Sequence, residues 1–232
     1  MSILLEIAVD TLHDAAAAQY GGADRIELCS ALDEDGLSPS EDLVRAVRAA
    51  VKIPIHTMVR PRVGNFCYSD EEFERMKAEI ALFKSLGVNG IVLGILHADR
   101  SVDQTRTAEL IRLAQPLGVT FHRAFDAAVD PFGSLERIVA AGAARLLTSG
   151  QQRTAPEGIE MIGRLIESAR GRITIMPGAG ITAENIAHLA GSLNVREFHT
   201  SSGAKSMDPG GSRRVEPSKV TELRSILASL TV

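Results

Sequence analysis

The sequence predicts a single (β/α)8 TIM barrel of the α/β class over residues 1–232, with a C-terminal helix after a long loop. Three observations predict it. Eight short β-rich runs alternate with segments of helical period, as parallel strands joined by crossover helices require. The length, 232 residues, suits one barrel in one domain. Polar residues sit inside nearly every run and not at a single switch point, which favours a barrel over an open doubly wound sheet.

The runs begin near Leu4 (LLEIAVD), Arg25 (RIELCS), Ile53 (IPIHTMVRP) and Gly90 (GIVLGIL). The later four begin near Val119 (VTFHRAFD), Ala144 (ARLLTSG), Arg172 (RITIMPGAG) and Val195 (VREFHTSS). Small-residue turns such as Gly21-Gly22-Ala23-Asp24 and Ala141-Gly142-Ala143 precede several of them, and fit the left-handed caps that end helices. Ser69 with Glu72 forms a capping-box pattern ahead of Phe73, Met76, Ile80 and Phe83 at helical spacing. Thr182 opens another helix. Ala31–Ser40 and Ala204–Pro217 read as surface loops, the second mobile, and a last helix runs from about Ser218 to Leu230.

Side chains two apart on a strand share a face. Leu5, Ile7 and Val9 suit the helix layer, which turns Glu6, Ala8 and Asp10 inward. By the same alternation Glu27 and Cys29, then His56, Met58 and Arg60, point inside. So do His122, Ala124 and Asp126, and Glu197, His199 and Ser201. Arg123 falls on the outer parity, unless a turn re-aims it. Branched apolar side chains fill an ordinary barrel; here acids, imidazoles and a guanidinium converge. Unpaired burial of such groups costs several kcal/mol each, so they pair with one another or with a ligand.

Glu27, His122 and Asp126 are the candidate acid and base groups, with Glu6, His56 and His199 as further pocket residues. Arg60 and Arg62 follow a strand at the rim and suit a carboxylate or phosphate. Gly178 and Gly180 after the seventh strand, with Ser201 and Ser202 after the eighth, sit where many barrels bind phosphate. Cys29, with Met58 and Met176 at similar parity, reads either as a soft-metal ligand or as packed core sulfur.

The bulk properties narrow the partners. The net charge of −4, without a basic tail, gives no reason to expect nucleic acid. Glu6 and Asp10 interrupt the N-terminal apolar stretch, and no run reaches the roughly 18 apolar residues of a membrane span. Two cysteines, Cys29 and Cys67, are too few for a secreted disulfide scaffold, so a cytoplasmic protein with reduced thiols is expected.

Several stretches closely resemble the CutC family: Gly21 to Ser30, Met58 to Arg62 with Phe66 to Asp70, and Thr120 to Asp126. Leu147 to Gly150, Ile175 to Ile181 and Glu197 to His199 match as well, in order along the chain. The resemblance implies a cytoplasmic, often homo-oligomeric barrel with a role in copper homeostasis. Family members with a proposed Cu(I) site use inward cysteines on strands one and two. Cys29 matches the second; the first position is Ala8 here.

Three functions compete: a copper(I)-binding homeostasis protein, an enzyme acting on a small phosphorylated or carboxylated metabolite, and a barrel turned binding scaffold. No strand carries a lysine placed for a Schiff base, which argues against an aldolase mechanism.

Overall fold

Alternating β-branched runs and amphipathic helices close the chain on itself in the computed structural model, which describes residues 3–208 and 210–230. The strands are β1 (Leu4–Val9), β2 (Arg25–Leu28), β3 (Ile55–Met58), β4 (Gly90–Leu93), β5 (Gly118–Phe121), β6 (Arg145–Thr148), β7 (Thr174–Pro177) and β8 (Glu197–Thr200). They pair in parallel in the order β7-β6-β5-β4-β3-β2-β1-β8, and β7 lies against β8 to complete the barrel. Outside them pack α1 (Leu12–Tyr20), α2 (Glu41–Ala50), α3 (Asp70–Ser85) and α4 (Gln104–Ala114). The ring continues with α5 (Pro131–Ala141), α6 (Ile159–Ala169), α7 (Ala183–Ser192) and α8 (Pro217–Ser229).

Register decides which side chains enter the barrel. Glu6 lies opposite Arg25 and His199, and Ala8 opposite Glu27. A slip of one residue would exchange inner and outer faces. Leu5, Ile7, Val9, Ile26, Leu28 and Ile55 are completely buried in the core between strands and helices. Each such side chain contributes about 1.5–3 kcal/mol by leaving water. Cys29, Met58 and Val92 form a separate small apolar cluster. Ser69 caps α3, with Glu72 returning to its backbone N–H, as the pattern predicted.

Two local expectations need correction. The segment after β8 is not an irregular loop: β9 (Lys205–Met207) and β10 (Arg213–Val215) form an antiparallel hairpin. Buried Asp14 of α1 anchors it, accepting the Val215 N–H at 3.2 Å and facing Lys205 Nζ at 3.8 Å. A carboxylate on α1 therefore orders what composition alone reads as mobile. The fifth strand also ends earlier than expected. His122 accepts the Ala124 N–H on its own ring and starts a 3-10 turn, Arg123–Ala127, which takes Asp126 off the strand.

Candidate functional site

The floor of the barrel is a buried ion network that the strand register assembles. Arg25 bonds Glu6 through Nε and Glu197 at 2.6 Å through Nη2, and also reaches Met176 Sδ at 3.4 Å. Arg145 donates to the same Glu197 oxygen at 2.8 Å. Arg25 and Arg145 were missed as interior residues because each opens its strand. Alternation from Glu27 back to Arg25 was the available signal.

Above this floor, Glu6 holds His199 by its Nδ1 at 2.7 Å, and His199 Nε2 faces Glu27 Oε2 at 3.7 Å. Burial opposes charge on His199, yet Glu27 and Glu6 outweigh it and hold its pKa above the usual value. Burial raises Glu27, and repulsion from Glu6 adds to that against the pull of His199. Burial would also raise Glu6, but Arg25, His199 and His56 overcome it and hold that carboxyl well below its usual range. A permanent anion thus orients an imidazole toward a second, more basic carboxylate. That is an acid–base pair with its supporting group built in.

A cavity of about 970 Å³ opens over this pair, lined among others by Ala8, Glu27, Arg60, His122, Asp126 and His199. Gly180, Ser201, Ser202 and Lys205 also face it, with Arg213 and Arg214 from the hairpin. Lys205 had been placed in a loop; it is buried, with Asp10 and Asp14 each at 3.8 Å. Arg60 Nη1 donates to the carbonyls of Glu34 at 2.9 Å and Gly36 at 3.0 Å, and its guanidinium stacks 5.1 Å over Phe66. The 3-10 turn re-aims Arg123 into the wall, where it pairs Asp126 at 2.8 Å.

Other candidates lie elsewhere. Arg62 turns away from the cavity to bind Glu72 at 2.6 Å and the Cys67 carbonyl at 2.8 Å, so it braces the loop before α3. Gly178 is buried with its N–H on Thr148 O at 3.0 Å, so that N–H is not free for an anion. His56 sits deep, its Nδ1 3.7 Å from Glu6. Its ring occupies space beside Gly90, where a Cβ would lie 2.4 Å from the imidazole. Gly94 makes the same room for His122, at 2.5 Å. These two glycines, one opening β4 and one just past its end, are the space that interior imidazoles need, and no sequence pattern singles them out. Asp126 accepts Ser149 N–H, Ser149 O–H and Gln151 N–H at 2.9–3.2 Å, besides pairing Arg123, and so works as a loop clamp.

Burial, with Arg25 and Arg145 adding to it against Glu6, keeps His56 at a pKa of about 3. Burial and then Arg60 do the same for His122, also at about 3. Both rings are therefore neutral when folded, whereas the unfolded chain takes up their protons below about pH 6.5. Depressed folded values mean stability that is present above about pH 6.5 and lost on acidification, with Glu27 offsetting part of it. The expected result is a denaturation midpoint that falls from about pH 6.5 to 5, with a slope shallower by about 1.4 kcal/mol per pH unit in His56→Gln. Identical slopes would contradict a neutral buried His56.

Among the described residues, no helix is long and apolar enough to cross a membrane, and both cysteines are free. The family model that matches is that of the CutC family, over residues 3–204. A CutC family protein of Chromobacterium violaceum is 48% identical over 201 residues, covering 87% of this chain and 81% of that one. The human copper homeostasis protein cutC homolog is 47% identical over 198 residues, 85% of this chain and 72% of that one. A crystal structure of a CutC protein from Streptococcus agalactiae superposes with a TM-score of 0.81 at 33% identity, covering 85% of this chain and 98% of that one. Sequence and fold agree that this chain belongs to the CutC family.

Proposed function

We propose that this chain binds a small anionic metabolite in its barrel mouth and performs proton transfer on it with Glu27 and His199. Its part in copper homeostasis, inferred from the names of its relatives, is then exercised through that pocket. One observation carries the reading: the Glu6–His199–Glu27 relay lies at the base of an open cavity whose wall includes Arg60, Arg213 and Arg214. Arginines recognise carboxylates and phosphates by paired hydrogen bonds, and a basic carboxylate beside an oriented imidazole moves protons. We place this chemistry in the cytoplasm, whose reducing poise suits two free thiols.

The residues do not fit a resident Cu(I). Cys29 is completely buried, and a Cβ built on Gly36 would lie 3.1 Å from its Sγ, so loop backbone covers it. Burial first, then Glu27, pushes its thiol well above the usual range, and the thiol donates to Glu27 at 3.6 Å. Ala8 offers no second thiol from β1 and Met176 is engaged by Arg25, which leaves the Met58 thioether, packed with Val92 against Cys29, as the neighbouring soft donor. Cu(I) wants two or more soft ligands, and a thiol held protonated beside one thioether does not supply them. The donors that do cluster, Glu6, Glu27 and His199, are hard or borderline, and Glu6 already serves Arg25.

Thermal shift against three-carbon phosphate monoesters tests the proposal. A ligand at about 100 times its Kd adds roughly 2.7 kcal/mol, and a domain of this size shifts by about 2–4 °C per kcal/mol. The expected shift disappears in the Arg213→Ala, Arg214→Ala double variant. Absence of any shift, or one indifferent to both arginines, refutes the anion site. Anaerobic Cu(I) titration against a competing chelator should show no tight site; tight binding abolished by Cys29→Ser would restore the copper reading.

A further inference from the structure

We infer that His122 is a fixed hydrogen-bond donor which, with Glu27 across the barrel, selects a ligand carrying an acceptor oxygen beside a hydroxyl, a small hydroxy-carbonyl compound. This rests on the anionic-metabolite reading and specifies the part of the ligand that lies beyond its anionic group.

The backbone sets the tautomer. His122 Nδ1 accepts the Ala124 N–H at 3.1 Å, so the single proton of a neutral ring resides on Nε2. That Nε2 is buried and has no partner. The ring cannot swing away to find one. Phe66 lies 5.1 Å from it at 55°, Phe121 6.2 Å away at 63°, and it fills the space that Gly94 leaves. Burial and the nearby Arg60 keep the imidazole uncharged across the physiological range, so it offers a donor and never an acid of imidazolium strength.

Two other residues that line the same cavity carry orphans. Arg60 Nε, on the segment after β3, is buried without a partner, although Nη1 of that guanidinium is bonded. Glu27 Oε1, on β2, is a buried acceptor without a partner. A buried group left unsatisfied costs about 1–3 kcal/mol, and three bordering one cavity is a pattern that a ligand relieves. His122 and Glu27 stand three strands apart around the barrel, so the two residues line the cavity from different sides. The complement is an oxygen that accepts from His122 together with a hydroxyl that donates to Glu27. A hydroxy-ketone or hydroxy-aldehyde presents both on adjacent carbons. A plain alkyl chain presents neither.

Isothermal titration of the full chain with dihydroxyacetone phosphate and with n-propyl phosphate separates the possibilities. The two probes share a phosphate and three carbons, and differ in the oxygens. Dihydroxyacetone phosphate is expected to bind about tenfold tighter or more, the value of one well-made buried hydrogen bond. His122→Leu should remove most of that preference by weakening dihydroxyacetone phosphate far more than propyl phosphate, and His122→Gln, which keeps an N–H, should restore part of it. Nitrogen-15 NMR of the free protein should show a protonated Nε2 and a bare Nδ1 at His122 from about pH 5 to 8. Equal affinity for both probes, or a protonated Nδ1, overturns the inference and leaves the anion site standing. No binding of either probe overturns the anion site, and the inference falls with it.

Discussion

Arg25→Ala is expected to destabilise the barrel by about 3–5 kcal/mol, the cost of leaving buried charge without its partner. Arg25 is 2% exposed and bridges Glu6, which is 1% exposed, to Glu197 on the neighbouring strand. Deleting the guanidinium leaves two carboxylates in a low-dielectric floor with only Arg145 and the imidazoles to balance them. The damage should spread upward, because Glu6 would lose the cation that keeps it ionised and its hold on His199 Nδ1 would weaken. Urea denaturation provides the measurement: the midpoint falls while the slope stays constant. The gap to the wild type should narrow on acidification, since protonating Glu6, no longer held ionised by Arg25, removes unpaired charge. A loss under about 1 kcal/mol would mean that water or a rotated Arg145 replaces Arg25 at little cost.

Asp126→Ala carries the second large effect, about 3 kcal/mol, because one carboxylate organises a whole loop. Its oxygens accept the N–H groups of Ser149 and Gln151 and the hydroxyls of Thr148 and Ser149, while Arg123 neutralises its charge. Hydrogen bonds to a charged acceptor contribute about 1.5–3 kcal/mol each before the remaining groups rehydrate. Hydrogen exchange should show lost protection at Ser149 and Gln151, together with lower thermal stability. Asp126→Asn should fall in between, since its amide turns a donor toward N–H groups that need an acceptor. Normal stability combined with lost turnover would instead make Asp126 a base, the role its residue type first suggested.

Much of the site was legible before any coordinates. Alternation from the clear outer residues Leu5, Ile7 and Val9 placed Glu6 inside, and the same rule placed Glu27, His56, Arg60 and His199. It does not govern Arg123, which a 3-10 turn started by His122 re-aims into the wall, and Asp126 reaches the cavity from that turn and not from the strand. It failed for Arg62 because Pro61 and the loop toward α3 redirect the chain, so that Glu72 captures the guanidinium. Gly178 reads as loop in the sequence, but its N–H extends the pairing of β7 with β6 by bonding Thr148 O.

By itself the sequence determined the barrel, the family and the polar character of the interior, because hydrophobic period and strand parity are local and survive without coordinates. Tertiary structure alone decided which polar groups pair and which are left open. Glu6 became a fixed anion because Arg25 and His199 come from neighbouring strands, and Glu27 and His122 kept unsatisfied atoms because nothing opposite reaches them. Charge state and hydrogen-bond satisfaction depend on neighbours distant in sequence, so no pattern along one strand could have carried them.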